Sequence, residues 1–293
     1  MKAPASIVWL AGIAAAQGAP QPPFTLPVQY ARGAPIFIEA RVNDSAPMRF
    51  ILDSASSFSM IRVREAEALG LTGDRAMSLN GGGGAFSMTL TRAALSVGSL
   101  TLPDVQLGIA PLTERYAGIV GADLFERFAV EIDYGGQRVR VLDPAAFHPA
   151  ATATRVPVTM IDRIPNVVAA IAFGERVEVE GTFRIDTGSW ATMMLNRPFA
   201  DAHRFPPPDA PTRAIGATAL GGSLQAIAAR ARRIRLGALV LQDPEIAVYR
   251  MDRGSGTRTD SAGHIGNELL RKYRVTIDCP GRQIVFETAD VKD

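Results

Sequence analysis

The chain has one cysteine, Cys279, and three histidines, His148, His203 and His264, among 293 residues. A single cysteine excludes an intramolecular disulfide, and its setting in Val275-Thr-Ile-Asp-Cys279 reads as a small buried apolar residue rather than a nucleophile. Three scattered histidines do not make the clustered ligand set of a metallohydrolase. No Gly-x-Ser-x-Gly turn is present to raise a nucleophilic serine, and the glycine run at 81–84 lacks the Gly-Lys-Ser/Thr ending of a phosphate loop. Charge of one sign is missing too: 31 basic residues against 29 acidic ones leave a net charge of +2, with no field to draw nucleic acid or an anionic membrane. The one basic segment, Arg230, Arg232, Arg233 and Arg235, has no interleaved aromatic residues for base stacking and reads as the wet face of a strand.

Past the N-terminus no apolar run is long enough to span a bilayer. Residues 1–19 themselves carry Lys2, an apolar stretch from Ile7 to Ala16 and then small residues, the layout of a secretory signal cleaved near Ala16 or Ala19. A retained anchor is the competing reading. Export without disulfides suits a bacterial periplasmic or secreted protein whose cores are large enough to stand alone.

What the chain does contain, it contains twice. Phe50-Ile-Leu-Asp53-Ser-Ala-Ser56 returns as Phe183-Arg-Ile-Asp186-Thr-Gly-Ser189, Gly98 to Asp104 returns as Gly237 to Asp243, and Gly118-Ile-Val-Gly121 returns as Gly263-His-Ile-Gly266. The offsets grow slowly, 133, 139 and 145 residues, as two copies of one module with a few inserted loop residues would require. Each copy approaches its aspartate along a strand: Ile38, Ala40 and Val42 alternate with Glu39 and Arg41, and Val177 and Val179 sit between Arg176, Glu178 and Glu180. Behind Asp53 the segment from Ile61 to Leu71 favours a short helix. Short helical segments also follow Gly121 and Gly266.

Gly81, Gly82, Gly83 and Gly84, with Phe86 just beyond, mark a glycine-rich hairpin tip; Gly216, Gly221 and Gly222 occupy the corresponding stretch of the second copy. Such tips on either side of a cleft act as lids. Asp104, Asp133, Asp243 and Asp278 also recur in pairs, but at strand ends and turns, where the reading is structural. A Pro-rich lead-in from Gln17 to Leu26 and an exposed Pro-containing linker over 145–157 complete the plan. Short strands, frequent turns and few helices make the chain all-β, with lobes over 27–144 and 158–290.

If the copies pair about a pseudo-two-fold axis, Asp53 and Asp186 face one another. Two carboxyls at roughly 3 Å share one proton, so one acts as base and the other as acid toward a water attacking an amide, with no cofactor or metal needed and an acidic to mildly acidic optimum. The hydroxyls of Ser54 and Thr187 are placed to tie the two turns together across the axis, and those of Ser56 and Ser189 to bond the outer carboxylate oxygens.

At these residues the chain resembles pepsin-like and retropepsin-like aspartic proteases. Leu52-Asp53-Ser54-Ala55-Ser56 with Ile119-Val120-Gly121, and Ile185-Asp186-Thr187-Gly188-Ser189 with His264-Ile265-Gly266, match the signature of an apolar strand, Asp-Thr/Ser-Gly-Ser/Ala and a later apolar pair followed by glycine. The likeness is to bacterial chains in which two retropepsin-type units are fused. It implies a bilobal acid-protease fold, a monomeric pseudo-dimer, a protein or peptide substrate and endopeptidase activity through Asp53 and Asp186. The departure is Ala55, where the pattern has glycine; a positive φ there would cost of order 1 kcal/mol. Neither hairpin tip carries a pepsin-type tyrosine, which favours the simpler retropepsin lid. Ala55 also motivates the alternative, a pseudoprotease whose cleft binds peptides or envelope components without cutting them.

Overall fold

The computed structural model describes residues 22–174 and 178–288. The stretch expected to be a secretory signal, residues 1–19, and the pair Arg176 and Val177 lie outside the described residues. Among those described there are 23 strands and four α-helices of four to six residues, in a bilobal all-β arrangement. No helix among them is long and apolar enough to cross a membrane.

Among the described residues the strands form three sheets. The first runs, in spatial order, through strands 37–42, 48–52, 118–120, 60–62, 100–110, 84–97 and 75–81, and curls back so that Ala40–Val42 pair with Leu95–Val97. The second contains the strands between 159 and 266 and repeats the central pairings. Met48–Leu52 lies antiparallel to Phe37–Val42 and parallel to Gly118–Val120; Glu178–Asp186 lies antiparallel to Ile164–Ala172 and parallel to Gly263–Gly266. Each aspartate region is therefore held between two strands of its own half.

The third sheet has six strands and joins the halves. Its order is 24–27, 138–142, 129–133, 273–278, 283–288 and 154–157, and the seam is the antiparallel pair Ala129–Asp133 with Tyr273–Asp278. Two segments read as irregular in the sequence take part. Phe24–Pro27 of the lead-in pairs with Arg138–Val141, and Thr154–Pro157 at the end of the linker pairs with Gln283–Phe286. Both add main-chain hydrogen bonds at a sheet edge, which outweigh the weak local preference of proline-containing stretches.

Period-two burial explains the strands locally. In Phe37–Val42 the residues Ile38, Ala40 and Val42 are buried while Glu39 and Arg41 are exposed. Fully buried Phe50, Leu52, Phe125, Phe183 and Ile185 belong to one apolar cluster that passes through both halves. Two smaller clusters sit under the hairpins, one around Ile51, Phe86, Met88 and Ile119, the other around Met194, Ala226, Ala247 and Tyr249. The helix behind Asp53 is shorter than its pattern, Val63–Ala68, and ends at Gly70, whose φ is +65°.

The basic segment keeps its expected wet face, with Ala231, Ile234 and Leu236 buried between the arginines, and adds ion pairs to it. Arg233 and Arg235 project from strand Arg233–Leu236, and their guanidinium groups share the carboxylate of Glu178, at 2.5 and 3.1 Å. Asp133 and Asp278 cap turns, accepting the N–H of Gly136 and Gly281 at 2.8 and 2.9 Å. Cys279 is buried, and burial pushes its thiol up to about 12, so it is inert.

The seam carries a testable load. Ile277 lies opposite Val130, and both are completely buried. Ile277→Ala is expected to lower the unfolding free energy by about 2–5 kcal/mol in chemical denaturation.

Candidate active site

Strands Met48–Leu52 and Glu178–Asp186 carry the chain to the same place from opposite halves. Both then enter tight turns, in which Ser56 N–H donates to the Asp53 carbonyl at 3.3 Å and Ser189 N–H to that of Asp186 at 3.2 Å. The turns lock together by four hydrogen bonds. Thr187 Oγ1 donates to the Leu52 carbonyl at 2.7 Å and accepts from Ser54 N–H at 3.0 Å; Ser54 Oγ donates to the Ile185 carbonyl at 2.6 Å and accepts from Thr187 N–H at 3.2 Å. Both hydroxyls are fully buried, so each bond is made without competing water.

This lock presses the two aspartates together. A methyl group at Gly188 would stand 2.7 Å from Asp53 Cγ, so only glycine fits there. The first copy has Ala55 instead. Its φ is not in the left-handed region, so the expected backbone strain is absent, and its N–H donates to Asp53 Oδ1 at 2.8 Å. Burial, followed by the neighbouring Asp186 charge, pushes Asp53 up from the usual carboxylate range to about 8. Neither aspartate forms an ion pair with an arginine or lysine among the described residues.

The two outer serines do not reach the carboxylates. Ser56 Oγ turns to the Phe58 carbonyl at 2.7 Å, while Ser189 Oγ pairs with His264 Nε2 at 2.9 Å. A short hydroxyl finds the nearest orphan polar atom, and here loop and histidine atoms lie closer. Gly121 and Gly266 back the turns: a Cβ on either would lie 2.5 Å from a carbonyl, that of Ser56 or Ala191. Asn267, the next residue, donates to the Thr187 carbonyl at 2.8 Å and accepts from Tyr134 Oη at 2.8 Å.

Ser189, His264 and Asp186 invite comparison with a serine hydrolase. His264 Nε2 also stands 3.9 Å from Asp186 Oδ2, so serine and aspartate meet the same ring nitrogen, while Nδ1 is buried without a partner. A relay needs the two nitrogens on opposite tasks, which this arrangement does not provide. Burial lowers the His264 ring to about 4, leaving it neutral over most of the pH range.

Above the aspartates the hairpins Arg75–Val97 and Arg213–Arg230 meet tip to tip. Gly83 N–H donates to the Leu220 carbonyl at 2.8 Å, and a Cβ at Gly221 would lie 2.0 Å from the Gly84 carbonyl oxygen. The two hairpin tips are thus in direct contact. Gly216 is not at the tip: it lies within strand Arg213–Ala219, opposite Gln225. Phe86 faces Leu79 in its own hairpin and is buried in the apolar cluster below rather than held over the aspartates. Two tyrosines stand nearby instead. Tyr116 and Tyr249 are both raised above the ordinary phenol value, first by burial and also by Asp53 and Asp186 respectively. The Tyr249 hydroxyl is 3.5 Å from where a Gly82 Cβ would be. Tyr116 stands just before the Gly118-Ile-Val-Gly121 repeat and Tyr249 a few residues beyond the Gly237 to Asp243 repeat, yet neither repeat marks the ring; the fold brings both in. A separate hollow of about 490 Å³, lined in part by Trp190, Arg230 and Glu268, includes neither aspartate.

A bilobal β fold with two interlocked aspartate turns beneath paired hairpins defines the class of acid-protease folds. Residues 38–124 match the family model described as aspartyl protease. The crystal structure of an aspartic proteinase from Irpex lacteus superposes with a TM-score of 0.59 at 12% identity, covering 92% of this chain and 98% of that one. No curated protein matches. The chain therefore has the fold of this aspartic proteinase, and residues 38–124 resemble the aspartyl protease family.

Two stability effects follow from the site. Thr187→Val orphans the Ser54 N–H and the Leu52 carbonyl and should cost about 1–3 kcal/mol for each buried group, read by denaturant titration. Asp53 behaves oppositely. Its folded pKa lies above its unfolded one, so between about 4 and 8 the folded state holds a proton that the unfolded state releases, and stability falls as pH rises through that window. Asp53→Asn removes this penalty and should raise stability at pH 7 by about 1–4 kcal/mol, with little gain at pH 4.

Proposed function

We propose that the protein is an aspartic endopeptidase in which Asp53 and Asp186 share one proton and activate a water between them. One carboxylate draws a proton from the water while the protonated partner hydrogen-bonds the scissile carbonyl; water attacks, and the roles exchange as the amine leaves. The observation that carries this reading is the four-bond lock between Ser54 and Thr187, which ties the two aspartate turns to each other and leaves Asp53 within reach of the Asp186 charge. The closed hairpins supply water exclusion, and a peptide enters only when the Gly83 to Leu220 contact opens.

The competing reading, a cleft that binds without cutting, rests on Ala55 and on the engagement of Ser189 by His264, which leaves Asp186 without the hydroxyl partner that its motif provides. Incubating the protein with a denatured protein across pH 3–9 and following fragments by mass spectrometry separates the two. Cleavage should persist toward neutral pH and fall as the pH rises through about 8, where the shared proton leaves. Asp53→Asn and Asp186→Asn should each reduce it by at least about 10³-fold. Cleavage equal to that of these variants at every pH would leave only the binding reading.

A further inference from the structure

Side chains two apart on a strand share a face, so the residue two before each aspartate looks toward the same cleft. Ahead of Asp53 it is Ile51; ahead of Asp186 it is Arg184. Cross-strand pairing extends each position into a row. In the first half the row reads Phe37, Ile51, Ile119, Met60 and is apolar throughout. In the second half the matching row reads Asn166, Arg184, His264, Met194. Identical strand pairings thus present a greasy wall on one side of the aspartates and a polar one on the other.

The polar wall is incomplete. Asn166 Oδ1, Arg184 Nε and His264 Nδ1 are each buried with no hydrogen-bond partner. Asn166 spends its amide on the Ile164 carbonyl at 2.8 Å, and His264 spends Nε2 on Ser189. Arg184 has no ion pair among the described residues. Its charge reaches Asp53, which accepts the Ala55 N–H, and Asp260, which is held by Arg258 Nε at 2.8 Å. A guanidinium is always charged, and leaving it half-buried and unpaired is costly unless something outside the chain completes it. On the greasy side Arg49 sits over the Phe37 ring, 3.7 Å from its centroid.

We infer that the cleft is chemically two-sided: the recess beside Asp53 takes an apolar side chain, and the recess beside Asp186 takes the carboxylate of an aspartate or glutamate of the peptide, held by Arg184. Guanidinium and carboxylate match as a planar pair of donors and acceptors. Neutral His264 next to Arg184 adds no competing positive charge. This inference rests on the peptide-cleaving reading and assigns its substrate class. The rival role for Arg184 is to balance the single negative charge of the aspartate pair.

Peptides identical except for glutamate or its isostere glutamine at each position flanking the cleaved bond test it. The expected result is a kcat/KM ratio of about 10 or more in favour of glutamate at one flanking position, falling to near one in Arg184→Gln and in Arg184→Leu, which copies Ile51 of the other half. A ratio near one in the unmodified protein, or one that survives both substitutions, overturns it. So does a variant whose pH profile shifts while the ratio stays. If no peptide is cut at all, the enzymatic reading has failed on its own, and fluorescence anisotropy of the same labelled peptides on the full chain decides the subsite. Tighter binding of the glutamate peptide, lost in Arg184→Gln, sustains it; equal binding ends it.

Discussion

Everything at the centre of this molecule depends on the reciprocal hydrogen bonding of Ser54 and Thr187. Each hydroxyl donates to a strand carbonyl of the opposite half and accepts an N–H from the opposite turn. Two carboxylates would otherwise repel and retreat into solvent. The six-stranded sheet that joins the halves at Ala129–Asp133 and Tyr273–Asp278 supplies a second tie. With the halves joined at both places, the cost of crowding two acids is met by packing and hydrogen bonding elsewhere. Asp53 shows the residue of that cost as a pKa lifted to about 8.

The architecture is nearly symmetric, while the chemistry is not. Glycine at 188 is demanded by the 2.7 Å approach to Asp53, yet its counterpart is Ala55. Ser189 answers to His264, whereas Ser56 answers to its own loop. Arg184 stands where Ile51 stands in the other half. Such differences accumulate on side chains because strand pairings constrain backbones, and the face toward the cleft is free to diverge without disturbing the buried face of Phe183 and Ile185. A site built from two matching halves in one chain is thereby free to give its two acids different surroundings.

The hairpins add a third constraint. Their tips touch backbone to backbone at Gly83, Gly84, Leu220 and Gly221, where any side chain on Gly83 or Gly221 would collide with the facing strand. Leu220 packs onto the apolar cluster of the first half, so each lid is fastened partly to the other lobe.

The two aspartate motifs, the all-β character and the hairpins were legible in the sequence because each rests on local rules: period-two burial, glycine-rich turns and a doubled run of residues. The partners of Ser56 and Ser189 were not legible there, since a short hydroxyl answers to whichever atoms the fold brings within about 3 Å. Arg184 was visible as a letter beside Asp186 and had meaning only once its neighbours across the sheet, Asn166 and His264, were known. Tyr116 and Tyr249 stand beside repeated motifs in the sequence, but their nearness to the aspartates came from the fold. The sequence alone determined which groups are available and that they come in pairs; the tertiary structure decided which atoms face each other, because hydrogen bonds and charge interactions act over a few ångströms and strand register, set by long-range pairing, controls those distances.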